Sequence, residues 1–109
     1  MIAKKGNGLL MVWADVPAEK EEEFNDWYNK EHLADILSIP GVLNAARYVA
    51  LKGGPKYLAC YELESVHVIE SDAYQNQFQN QSDWSKRMSP AVIATNFVRN
   101  VYEQSFPAE

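Results

Sequence analysis

One cysteine, Cys60, stands in 109 residues, so no internal disulfide forms and the fold does not depend on an oxidising compartment. Histidine is almost as scarce. His32 and His67 are the only two, and they lie too far apart for metal-ligand spacing. Long apolar runs are missing: none approaches the ~20 residues of a membrane-spanning helix, and no basic amphipathic segment suggests attachment to a bilayer surface. The first six residues lead only into a short apolar run that Asp15 breaks, so a secretion leader is not expected and a cytoplasmic protein is. Cations are outnumbered, with ten Lys and Arg against fifteen Asp and Glu and a net charge of -5. Phosphate backbones require clustered cations, which excludes nucleic acid as the expected partner. The one glycine pair, in "KGGP" at residues 52–55, lacks the spacing and the strand-to-helix setting of a phosphate loop. No serine-nucleophile motif is present. Neither a metal nor an organic cofactor is expected.

What is present is an ample core. Hydrophobic residues make up 47% of the chain and are spread along it, as one domain over residues 1–109 requires. Residues 8–16, "GLLMVWADV", are apolar almost throughout and read as a buried strand. Pro17 follows, suited to a first helical turn, with Glu19, Glu21, Glu22 and Glu23 where the helix dipole favours negative charge. That helix is expected over residues 18–37, stopped by Pro40-Gly41. Residues 42–51 and 56–64 read as a hairpin about the Gly-Gly turn. A second helical region is predicted over residues 65–81, broken near Ser71-Asp72, with Ile69, Ala73, Tyr74 and Phe78 as its packing face. "SDWSKRMSP" reads as a loop or single turn. From Asn96 the pattern alternates: Phe97, Arg99, Val101 and Glu103 on one side, Val98, Asn100, Tyr102 and Gln104 on the other. The order β-α-β-β-α-β is that of an α+β, ferredoxin-like fold, a four-stranded antiparallel sheet with helices on one face. The first strand is apolar on both sides, Leu9, Met11 and Trp13 against Leu10, Val12 and Ala14. One of those faces needs a cover, and a homodimer packing sheet on sheet supplies it.

The densest chemistry lies in "FNDWYNKEHLADILSIPGV". At 100° per residue, Phe24, Trp27 and Tyr28 share a stripe that Glu31 and Asp35 continue, with His32 on its shoulder. The apolar face then rotates to Leu33, Ile36 and Leu37, which implies a kink, a second short helix or a pocket. A histidine titrates near neutrality and serves as general acid or base; Phe24 and Trp27 would wall a flat ligand. The alternatives are ordinary: His32 satisfying a carbonyl, Trp27 and Tyr28 as core, Glu31 and Asp35 pairing with Lys30 or Arg47. Arg47 lies mid-strand beside Tyr48 and needs a partner if buried, which is either a ligand carboxylate or Glu31. Asp15 is read as a helix cap, Trp13 and Cys60 as core, Trp84 as a cover for a pocket mouth, and His67 as surface.

Trp27, Tyr28, His32, Pro40, Gly41, Arg47 and Tyr48, in a W-Y-x-x-x-H helix followed by a Pro-Gly turn and an Arg-Tyr strand, resemble the EthD-like group of the dimeric α/β-barrel superfamily. The resemblance covers most of the chain. It implies a ferredoxin-like protomer whose sheet meets its partner's, and it raises His32 as a functional residue. The superfamily includes cofactor-free monooxygenases, cyclases, lactone isomerases and haem-degrading enzymes, so fold alone does not choose a reaction. The leading reading is a metal-free enzyme acting on a hydrophobic or aromatic intermediate. In it His32, Tyr28 and Arg47 carry the chemistry, and Phe24, Trp27, Glu31, Asp35, Trp13, Tyr48 and Trp84 line the site. The alternatives are a non-catalytic, dimeric ligand-binding accessory of a degradation pathway and, behind it, a haem-binding monooxygenase.

Overall fold

The computed structural model describes residues 6–106. Strand β1 (Gly8–Asp15) leads into helix α1 (Ala18–Trp27), a π-helical turn (Tyr28–His32) and a short helix α2 (Leu33–Leu37). Strands β2 (Val42–Val49) and β3 (Tyr57–Leu63) follow as a hairpin. A 3-10 turn (Val66–Glu70) and helices α3 (Asp72–Gln79), α4 (Asp83–Met88) and α5 (Pro90–Ile93) precede strand β4 (Asn96–Glu103). The sheet order is β2-β3-β1-β4 with every pairing antiparallel, the expected ferredoxin-like arrangement. No helix among the described residues is long and apolar enough to cross a membrane.

Period-two alternation builds the sheet. In β3, Tyr57, Ala59, Tyr61 and Leu63 are buried, and the residues between them face the other way. Leu10 and Ala14 of β1 join them under the helices. Phe24, Trp27, Ile36, Tyr61, Leu63 and Met88 are the largest fully buried side chains, each stabilising the fold by about 1.5–3 kcal/mol relative to exposure. Gly41 closes the first crossover at φ 95°; a Cβ there would stand 2.5 Å from Val68 Cγ2. Its carbonyl accepts the Glu64 N–H at 2.7 Å, tying the helix exit to the end of β3.

Several expectations are corrected. "SDWSKRM" is not a loop: Ser82 accepts the Ser85 N–H and starts α4, whose Ser85 and Met88 are buried. Six residues are too few for periodicity to show in sequence. Asp15 caps no helix; its carboxylate accepts from the Lys56 N–H and the Asn96 side chain, joining the ends of three strands. Trp13 and Cys60 are not core. By register they lie on the sheet face away from the helices, with Leu9, Met11, Leu58, Tyr48, Val98 and Tyr102. Trp13 meets Tyr102 there edge-on, ring centres 6.5 Å apart.

Candidate functional site

The site begins with helical geometry. Phe24, Tyr28, His32 and Ile36 recur every four residues and all are buried. In a regular α-helix each such step drifts about 40°. The π turn removes that drift: the Leu33 N–H bonds to the Tyr28 carbonyl, five residues back, so fewer degrees are turned per residue. His32 therefore comes onto the inner stripe and Glu31 is displaced to its side. This is the rotation of the apolar face that the sequence implied.

Glu31 is held at that side by three donors. Its carboxylate accepts from Ser82 Oγ at 2.7 Å, Ser85 Oγ at 2.8 Å and Trp27 Nε1 at 3.2 Å. Trp27 Nε1 also donates to Ser85 Oγ at 2.9 Å. The serine bonds hold the Glu31 carboxyl below the ordinary carboxylate range. This cluster fastens α4 to the π turn and fixes the indole. The His32 ring stacks on that indole at 4.4 Å and 21°, and meets the Tyr28 ring edge-on at 4.9 Å. Burial, opposed by the Glu31 charge, pushes His32 from 6.5 down to about 4, so the imidazole is neutral at physiological pH.

His32 and Tyr28 open into a cavity of about 340 Å³ between the helices and the β1–β4 half of the sheet. Leu10, Val12, Ile36, Phe78, Pro90 and Phe97 make it largely apolar. Tyr61 and Tyr74 add two more phenols, and Gln75, Gln81 and Arg99 supply further polar groups. Tyr61 donates to the Tyr28 hydroxyl at 3.4 Å. Burial pushes both phenols up, Tyr61 strongly, so both are protonated at neutral pH. Among the described residues, no sealed side-chain nitrogen or oxygen lacks a partner. Among the described residues no protein group bonds the His32 ring, and the ring stands on the cavity lining. The arrangement offers one imidazole that accepts a proton, phenols that donate hydrogen bonds and apolar walls for a ring. Among the described residues no three His, Cys, Asp or Glu side chains converge as a metal site, and His32 is the one imidazole on the cavity lining.

The other candidates lie elsewhere. Arg47 is not on the cavity lining: its guanidinium sits 4.6 Å from the Tyr28 ring centre and donates to Asn25 and Asn29 at 2.9 and 3.0 Å. It pairs with neither Glu31 nor Asp35; Lys30 pairs with Asp26 at 3.8 Å. Phe24 and Trp27 lie beneath the site as core. Glu31 supports it from the side, and Asp35, its carboxyl raised by burial, is not on the lining. Trp13 and Tyr48 are on the open sheet face. Trp84 donates to Glu23 at 3.1 Å, away from the mouth it was expected to cover. Tyr61, Tyr74, Phe97 and Arg99 were not singled out for the site. For Phe97 and Arg99 the signal was available, since they share one side of the alternating β4.

No family model matches this chain, and no curated protein does. Solved structures do. A dimeric ferredoxin-like protein from an uncultured marine organism superposes with a TM-score of 0.66 at 15% identity, over 96% of this chain and 95% of that one. An EthD family protein from Bacillus halodurans C-125 gives 0.63 at 11%, over 90% and 98%. MhuD, a haem-degrader of Mycobacterium tuberculosis with two haems bound in its active site, gives 0.61 at 17%, over 94% and 99%. At these identities the likeness is one of fold: this chain has the ferredoxin-like architecture that an EthD family protein also has, as its helix and Pro-Gly turn implied.

Proposed function

We propose that this chain binds a small, flat, largely apolar molecule between helices and sheet and moves a proton on it at His32, as a metal-free isomerase, cyclase or lyase does. One observation carries the reading: a neutral imidazole without a protein partner faces an apolar cavity, stacked on a clamped indole. In the elementary step, a C–H bond beside a carbonyl breaks and its proton passes to the His32 lone pair. The electron pair moves to the carbonyl oxygen, which receives a hydrogen bond from Tyr28. Tyr61 donates to Tyr28, leaving the Tyr28 proton free for that task. The enolate formed beside the ring raises the imidazole pKa towards neutrality. Return of the proton at another carbon completes an isomerisation with no oxidant or reductant. The open sheet face, apolar at Leu9, Met11, Trp13 and Leu58, supports pairing of two copies through their sheets.

The test has two stages. Aromatic acids, lactones, quinones and haemin are screened by thermal shift on wild type and His32→Gln, since a ligand specific to the folded state raises the melting temperature. Each hit is then incubated with protein in deuterium oxide and followed by NMR. Wild type is expected to exchange a carbon-bound proton, and His32→Gln to do so about 100-fold more slowly. Equal exchange in both proteins sinks His32 as the base. Binding without exchange favours the accessory, ligand-delivering role. A haem reading is favoured by the same unpartnered imidazole; a Soret shift with haemin that vanishes in His32→Gln would support it.

A further inference from the structure

Arg99 was not part of the proton-transfer reading, yet it stands on the cavity lining. Its register opposite Val12 puts it on the helix side of β4, between Phe97 and Val101. The guanidinium donates to the Tyr74 hydroxyl and has no carboxylate within ion-pair reach among the described residues. The protein as a whole carries a net charge of -5, but no Asp or Glu is on the lining. His32 and the two buried phenols there are neutral at physiological pH. Arg99 is therefore the one formal charge facing the cavity among the described residues, and it is a cation in an anionic protein. An arginine fork matches a carboxylate in plane and bidentately, and next to apolar walls that pairing is less screened than in open water.

We propose that Arg99 makes this cavity selective for apolar, ring-bearing acids, pairing with a carboxylate at the rim while the ring lies against the apolar lining. The inference rests on the cavity reading above and adds to it the charge of the ligand. Tyr74 acts as a positioning residue, since its hydroxyl restrains the guanidinium and the side chain is buried. Gln81 on the same lining offers a further amide donor to the carboxylate, while the Gln75 amide donates to the Ile69 carbonyl at 2.9 Å.

The probes are naphthoate, naphthamide and methyl naphthoate, which share a ring system and differ in charge. Binding is measured by calorimetry on wild type, Arg99→Gln and Arg99→Lys. Arg99 is exposed on an edge strand, so the variants are expected to melt close to wild type, which circular dichroism checks. Wild type should bind naphthoate at least about tenfold more tightly than the two neutral probes. Arg99→Gln should erase that preference, and Arg99→Lys should retain part of it. Added salt should narrow the wild-type preference and leave the neutral probes alone. Equal binding of acid and neutral probes, or a preference that survives in Arg99→Gln, overturns the inference and leaves the cavity reading standing. No binding by any of the three overturns both.

Discussion

At the scale of one residue, the proposed chemistry rests on His32, whose burial also leaves a trace in stability. Its ordinary pKa of 6.5 falls to about 4 in the folded chain because burial disfavours the imidazolium. The unfolded chain therefore binds the extra proton between those two values. The stability from keeping the ring neutral is complete above pH 6.5 and is lost as pH falls towards 4. At about 1.4 kcal/mol for each pH unit, the loss is on the order of 3 kcal/mol. Urea unfolding of wild type and His32→Gln across that window should show a steeper fall for wild type; carboxylates common to both cancel in the difference. Parallel curves would mean that the imidazole is as solvated as in a peptide. Catalysis carries the matching signature: proton transfer by a base of this kind should be flat from pH 5 to 8, with no acid limb near 6.5. None of this was readable from His32 as a letter in a helix, because its pKa comes from Trp27, Tyr28 and the sheet beneath.

At the scale of the element, the π turn and α4 act together. The serines at 82 and 85 read in sequence as part of a loop, yet they hold the Glu31 carboxylate and, through Trp27, the surface on which His32 stacks. Glu31→Ala should cost about 1 kcal/mol, the size of partly exposed hydrogen bonds, measured in urea melts. It should also loosen the indole, seen as a red shift of tryptophan fluorescence, and lower the His32 pKa further by NMR, because the charge that opposes burial is gone. An unchanged His32 titration in that variant would show that the Glu31 charge does not reach the imidazole. The long helix over residues 18–37 was legible from Pro17, its acidic first turn and Pro40-Gly41. The strands were legible from alternation. The five-residue hydrogen bond inside the helix was visible only as a rotation of the apolar stripe, a sign shared by kinks, breaks and pockets.

At the scale of the whole molecule, the sheet has one face under helices and one without. Leu9, Met11, Trp13 and Leu58 on the open face form the surface of the proposed dimer. Replacing Met11 by Glu should yield a monomer by light scattering with the fold kept by circular dichroism, because an unpaired charge is costly between apolar sheets. A wild-type monomer at micromolar concentration would remove the dimer. The net charge of -5 and the cationic rim proposed to select acids at Arg99 belong to this scale as well.

The amino-acid sequence by itself determined the order of elements, the two-sided apolar first strand and the aromatic stripe of Phe24, Trp27 and Tyr28 with His32 at its shoulder. Those follow from local periodicity and from Pro and Gly at turns, which act over a few residues. Only the tertiary structure decided that Arg47 bonds to Asn25 and Asn29 over the Tyr28 ring, that Trp13 and Tyr48 are on the open face, and that Arg99, Tyr61 and Tyr74 meet His32 around one cavity. Such neighbours come from strand register and helix packing across tens of residues, which alternation along a single strand does not encode.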